Sequence, residues 1–308
     1  NKISNESSAG SHFSSATSSS QGSHILAHPS ENVPENELEP CLHTLEVDFA
    51  PPEFCFPGEL FFHIPQECDL VVQFKSGDSE RKIHLNTSLT PQEIAEVKEM
   101  RQRLIERGVK LDKFLHMSLT RYISRARGDI DRAIELILTT QQWRKDYFKQ
   151  PLRSWDSELK RGLMKGVMYF CGRDKSMRPL MVVAAKRAPA SWYKKPDFFI
   201  KLLIFHMEYL SRHFLVPGVV ETLNVLIDLR GIDIWTFPIS KLGQVYKVLS
   251  NHYLGRVQHF YILNAPRFLG AIMRFITKLL TDRQQQKLVF CADTEPLTKA
   301  HMPSQLEH

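Results

Sequence analysis

From Trp155 onward, short apolar runs alternate with longer amphipathic stretches, and this alternation narrows the fold more than any other feature of the chain. The runs at 180–184, 223–228, 258–263 and 287–291 are rich in branched and aromatic residues and have the length of buried strands. The stretches at 197–214, 239–253 and 267–281 carry a helical period. Strands separated by helices of this length build a mostly parallel sheet with right-handed crossovers and helices on its faces. The expected class is α/β.

The stretch 258–281 combines a strand, a sharp stop and a helix. After Leu263, Asn264-Ala265-Pro266 breaks the strand, and Pro266 suits the first position of a new helix. Phe268, Ile272, Phe275, Ile276 and Leu279 then fall on one helical face, with Gly270, Arg274, Thr277 and Thr281 on the other. Burying those five apolar side chains is worth roughly 7–15 kcal/mol. Two readings fit: a fixed crossover helix packed on the sheet, or a movable lid over an apolar cavity. A lid opens only where another apolar phase, such as a membrane, receives that face.

Upstream, Thr90-Pro91-Gln92-Glu93 is a helix start, with Thr as cap, Pro first inside and Glu at the third position. Ile94, Val97, Met100 and Leu104 continue that helix to a stop at Gly108. A second helix is expected over 111–124 and a third from Asp129, with Ile130, Ile134, Ile137, Leu138 and Trp143 on its apolar side. Residues 91–150 therefore read as a helical lobe and 151–308 as the α/β lobe. Residues 51–90 read as a small β appendage, with strands at 59–64, 69–74 and 81–85 and a turn at Ser76-Gly77-Asp78. Residues 1–50 are Ser-rich and poor in core-forming side chains, and read as a disordered leader.

Charge is divided along the same boundary. Residues 1–90 hold 4 Lys+Arg against 13 Asp+Glu, whereas 91–308 hold 36 against 21. The folded part is basic, which suits anionic phosphate on a lipid surface. No arginine-rich run or recognition motif points to nucleic acid. Five cysteines without a CxxC pair argue against a disulfide scaffold or a zinc site and suit a reduced, cytoplasmic setting. No run approaches the ~18 apolar residues of a membrane span. GxGxxG, GxxxxGK[ST] and GxSxG are all missing, and no nucleophile–base arrangement is visible, so no enzyme activity and no cofactor are expected. His206 and His213 read as half-buried or surface histidines rather than ligands, and Asp228 and Asp233 as cap or turn residues near a strand end.

Several segments in order resemble the CRAL-TRIO lipid-binding family, which includes the yeast-type phosphatidylinositol transfer proteins. Arg121-Tyr122-Ile123-Ser124-Arg125-Ala126-Arg127 resembles R-F-L-R-A-R, followed by Asp129-Ile130 and Trp143-Arg144-Lys145-Asp146-Tyr147. Asp174-Lys175-Ser176-Met177-Arg178-Pro179 resembles D-x-x-G-R-P, and Ile227-Asp228-Leu229-Arg230-Gly231-Ile232 resembles I-x-D-L-x-G-I. Phe260-Tyr261-Ile262-Leu263-Asn264-Ala265-Pro266 resembles F-Y-I-I-N-A-P. The likeness covers about 91–305. It implies a single lipid-sized cavity in the α/β lobe, closed by a gate helix made of the 267–281 segment. It further implies an acyl pocket drawn from Phe205, Tyr209, Ile227, Leu229, Ile232, Ile234, Tyr261 and Leu263. The headgroup is expected at Lys287, Gln284, Arg125 and Ser124.

The chain also departs from the family pattern. Ser124 stands where the phosphatidylinositol-binding subset has Arg, Gly255 stands for the Glu of Y-P-E-R, and Gln284 stands for a Thr, while Lys287 keeps the Lys. Asp233 and Trp235 replace the small hydroxyl residues of the phosphatidylcholine-selective members. Neither headgroup pattern is complete. The resemblance implies binding of one lipid, such as phosphatidylinositol, with transfer or presentation at anionic membranes by a cytoplasmic, peripherally associated protein. The competing readings are a lipid-sensing module that recruits protein partners through the leader, and a carrier of another small hydrophobic ligand.

Overall fold

In a computed structural model, the described residues are 38–39, 56–149, 156–189, 191–192, 197–232, 239–266, 280–301 and 305–306. The gate-helix residues Phe268, Ile272, Phe275, Ile276 and Leu279, and also Asp233, Ile234 and Trp235, lie outside them.

A five-stranded sheet organises the carboxyl-terminal half. Its strands are β5 (Met168–Arg173), β6 (Pro179–Ala184), β7 (Leu223–Asp228), β8 (Val257–Leu263) and β9 (Leu288–Cys291), hydrogen-bonded in that order. The pairs β6–β7, β7–β8 and β8–β9 are parallel, and β5 is an antiparallel edge strand. The parallel part matches the sequence expectation. The strand β5 was not expected: Met168-Tyr169-Phe170-Cys171-Gly172-Arg173 has no clean alternation, and its register shifts between Phe170 and Arg173.

Register fixes which side chains share a face, because successive residues of a strand point to opposite sides. Met181, Val225 and Phe260 align across the sheet, as do Val183, Ile227 and Ile262. The first of these rows packs under the helix Asp197–His213, through Leu203, Met207 and Leu210. Tyr261 and Leu263 point the other way, onto Cys291 and Leu297.

The helical lobe closes around a second core. A helix over Pro91–Glu106 starts at Thr90, whose hydroxyl accepts from Glu93 N while the Glu93 carboxylate accepts from Thr90 N, the expected capping box. A long helix over Ile130–Tyr147 is capped by Asp129. Ala133, Ile134 and Ile137 on it are fully buried against Met100, Leu115 and Leu119. The single helix expected over 111–124 is instead a two-residue strand Leu111–Asp112, a turn of helix Lys113–His116 and a helix Leu119–Ala126. Asp112 caps Leu115 N at 2.9 Å and restarts the chain there.

Two expectations for the first ninety residues need correction. β1 (Leu38–Glu39), inside the leader read as disordered, pairs in parallel with β4 (Leu111–Asp112). Residues 59–64 form no strand: Gly58–Phe62 is a 3₁₀ turn between Pro57 and Pro65, with Leu60 buried and Phe61, Phe62 and Ile64 exposed. Proline on both sides favours the turn over a ladder. The appendage keeps a small antiparallel hairpin, β2 (Val71–Gln73) and β3 (Ser79–Arg81), around Gly77 at φ 80°.

Candidate functional site

A cleft of about 390 Å³ opens where this hairpin meets both lobes, beside the amino-terminal ends of β8 and β9. Its apolar lining is Leu249 from the helix Ile239–His252, Tyr253 just after that helix, and Val257, Phe260 and Leu288 from the sheet. The cationic lining is Arg125, Arg127, Arg132, Arg256, Arg283 and Lys287.

Local structure explains each position. Arg127 takes a left-handed conformation, φ 60°, at the end of the Leu119–Ala126 helix, so the chain turns there. That turn presents Arg125 and Arg127, and the following helix presents Arg132 from its first turn. At the start of β9, Phe260 N donates to Lys287 O at 2.7 Å and fixes the lysine against the sheet. Thr281 and Gln284 lie one turn earlier, with Thr281 N donating to Gln284 Oε1. Gln284 also donates to the Tyr246 hydroxyl.

The hairpin supplies the acids. Asp78 accepts a two-pronged contact from Arg283 at 2.5 and 2.6 Å and pairs with Arg127 at 3.2 Å. Arg283 hydrogen-bonds to Asp78 and holds its carboxyl below the usual range, against a smaller opposing effect of burial. Glu80 pairs with Lys82 and with Lys287, each at 3.0 Å. Burial opposes its ionisation, but the two lysines outweigh that and keep its carboxyl below the ordinary value.

Behind the cleft, Glu221 joins three parts of the chain. Its carboxylate accepts from His84 N at 3.0 Å, from Leu85 N at 2.8 Å and from Arg121 Nη2 at 2.5 Å. Arg256 Nη1 donates to the Glu221 backbone carbonyl at 3.0 Å and lies 3.9 Å from its carboxylate. Burial, then the nearby Arg121, pushes Arg256 down to about 9. A second buried pair, Arg144 with Glu208 at 2.8 and 3.2 Å, is joined by the Tyr253 hydroxyl at 2.8 Å and steadies the apolar wall.

The residues expected from sequence divide unevenly. Lys287, Gln284 and Arg125 line the cleft together; Ser124 is half-buried and does not. Phe205 and Tyr209 stack at 6.0 Å on the Asp197–His213 helix and pack on the same core as Ile227. Leu229 is buried in a small cluster with Ile262, Ile227 and Leu288, and Ile232 is buried nearby in sequence. Leu288 belongs both to that cluster and to the cleft wall. Tyr261 and Leu263 lie on the far face of the sheet, so they do not share a wall with Ile227. Period-2 alternation enforces the split, because neighbouring β8 residues cannot line one pocket. Asp228 accepts from Arg230 N and Asn264 Nδ2, a turn role at the other end of the strands from the cleft. Asp78, Glu80, Lys82 and Arg283 were missed. Glu80 lies on β3 and Lys82 just past its end, a spacing of two that was a signal, but nothing in sequence joins them to Lys287.

A family model described as the CRAL/TRIO domain matches residues 163–308, a little under half of the chain. Over 211 residues the chain is 24% identical to the SEC14 cytosolic factor of Yarrowia lipolytica, covering 63% of this chain and 42% of that protein. Over 217 residues it is 20% identical to a CRAL-TRIO domain-containing protein of Saccharomyces cerevisiae, covering 63% and 68%. The chain thus spans less than half the length of the Yarrowia relative. The crystal structure of Sfh5 shares the fold with a TM-score of 0.52 at 13% identity, over 69% of this chain and 84% of that one. Among the described residues no helix is long and apolar enough to cross a membrane. Glu80, Arg125, Arg127 and Arg132 lie before the matched residues, yet they line the cleft with the residues of the later lobe.

Proposed function

We propose that this chain binds one phospholipid molecule and transfers or presents it at membranes, with the headgroup in the cleft and the acyl chains in the domain interior. The observation that carries the reading is the cleft's mixed lining. Leu249, Val257, Phe260 and Leu288 line the same opening as Arg125, Arg283 and Lys287, a combination suited to an amphipathic ligand. A volume of about 390 Å³ suits a headgroup with its glycerol, and the acyl chains would need further space. The amphipathic pattern from Phe268 to Leu279 supports a gate helix. Exposed arginines at the rim add an attraction of about 1 kcal/mol each toward anionic headgroups, weakened by salt. Phosphatidylinositol is a fitting ligand because Lys287, Gln284 and Arg125 converge on the same cleft. The reading involves no covalent step.

The test is transfer of a labelled phospholipid from donor to acceptor vesicles by the full chain. Transfer that rises with protein and falls with ionic strength supports the carrier reading. Extraction of lipid without transfer would make the chain a lipid-sensing module. Neither extraction nor transfer would overturn both.

A further inference from the structure

The charges in and directly behind the cleft do not balance. Two ammonium groups, Lys82 and Lys287, share the single Glu80 carboxylate. Beside them two guanidinium groups, Arg121 and Arg256, share Glu221. With all four protonated, four cations meet two carboxylates, a surplus of two positive charges, which falls to between one and two as Lys82 gives up its proton near neutral pH. Lys82, Arg121 and Arg256 are 1%, 5% and 8% exposed, so water screens the surplus poorly. At the rim, Asp78 is already held by Arg127 and Arg283, and Arg125 and Arg132 make no ion pair among the described residues. Burial first, and Lys287 second, push the Lys82 ammonium down to about 7, as expected where cations outnumber acids.

Buried charge in excess is costly unless a counter-charge completes it. A phosphate monoester carries about −1.5 to −2 near neutral pH and matches the surplus. A phosphodiester brings a single negative charge, and a choline headgroup cancels even that.

Gly255 explains how the hairpin enters. It sits at φ 63°, and a Cβ there would stand 3.2 Å from Arg121 Nη1 and 3.6 Å from Glu80 Oε1. The missing side chain leaves the space that the Glu80 carboxylate fills from β3.

We propose that the cleft receives a phosphate monoester: Lys287 contacts it directly, Glu80 limits the negative charge accepted, and Lys82 positions Glu80 from behind. The proposal rests on the reading of the cleft as a headgroup site. Its chemistry is shared by a phosphorylated lipid headgroup and a soluble phosphomonoester, and the experiment separates the two.

The full chain is incubated with phosphatidylcholine vesicles doped equally with phosphatidylinositol or with a phosphatidylinositol monophosphate, and the extracted lipid is quantified. Binding of soluble inositol phosphate is measured in parallel by calorimetry. The expected result is about a tenfold preference for the monophosphate lipid, corresponding to about 1.4 kcal/mol. Lys287→Ala should abolish the preference. Arg125→Ala, on an exposed side chain that leaves folding intact, should reduce it several-fold. Glu80→Gln should raise monophosphate binding several-fold, because Lys287 is released from a competing acid; a merely structural Glu80 would weaken binding instead. Equal extraction of the two dopants overturns the proposal while leaving lipid carriage standing. Binding of soluble inositol phosphate without lipid extraction supports the phosphomonoester site and overturns lipid carriage. Binding of neither overturns both. Weaker monophosphate binding in a folded Glu80→Gln chain would also overturn the charge argument.

Discussion

Replacing Glu221 should disrupt the junction on which the cleft is built. Its carboxylate is 3% exposed at the residue level and serves Arg121, Arg256 and the backbone N–H groups of His84 and Leu85. Glu221→Gln keeps an oxygen for the two N–H groups but leaves Arg121 buried without a counter-charge. Loss of one partner of a buried pair costs about 3–5 kcal/mol. Glu221→Ala also strands the two N–H groups, at about 1–3 kcal/mol each. Domain stability is about 5–15 kcal/mol in total, so the Ala variant should be largely unfolded and the Gln variant marginal. Urea titration followed by circular dichroism measures both. The double change Arg121→Met with Glu221→Gln should recover part of the Gln loss, because the stranded charge is removed. A Gln variant within about 1 kcal/mol of the parent chain would refute the assignment of Glu221 as the joint between hairpin, helical lobe and sheet.

Three further outcomes follow from the same contacts. Lys82 is pushed down to about 7 in the folded chain, chiefly by burial and then by Lys287, with Glu80 opposing. Between pH 7 and about 10.5 the unfolded chain therefore binds more protons at this residue, and stability should rise with pH across that window by up to about 5 kcal/mol. Below pH 7 the cost is fully present, and Lys82→Met should flatten the rise in a pH series of urea titrations. A chain beginning at residue 56 should stay folded and keep its lipid binding, losing only the short Leu38–Glu39 pairing from the described part. A chain beginning at residue 91 should lose binding and stability, because Glu80, Lys82 and the His84–Leu85 backbone go with it; limited proteolysis with lipid analysis of the fragments checks both. Phe275→Asp should sharply reduce vesicle transfer while circular dichroism stays unchanged if the 267–281 segment is a lid. Unfolding of the variant would mark the segment as fixed packing, because a buried unpaired carboxylate is costly.

Much of the fold was legible because local chemistry and tertiary packing agree. Leu223–Asp228 is a strand on its branched residues alone, and the Thr90–Glu93 cap begins its helix as read. Reading failed where tertiary contacts decide. The 111–124 stretch is helical in composition, but Asp112 caps a new turn and Leu111 pairs with Leu38. Met168–Arg173 becomes a strand through its pairing with β6, which its irregular sequence does not announce. Of the cleft lining, Lys287 was named from the family pattern, and Gln284 and Arg125 as residues at or beside its departures. The missing Glu at Gly255 was legible too, but not the carboxylate that stands beside it. Glu80 and Lys287 are 207 residues apart in sequence, and only the folded hairpin brings them to 3.0 Å. Tyr261 and Leu263 were grouped with Ile227 by proximity in the family motifs, and register separates them.

The most direct test of the account is organic extraction of the purified full-length chain, with mass spectrometry and protein quantification of the same sample. The account predicts a phospholipid bearing a phosphorylated, anionic headgroup, at a ratio approaching one molecule per chain, and its displacement by the same lipid offered in vesicles. A folded chain that carries no lipid, and takes none up from anionic vesicles, would contradict it.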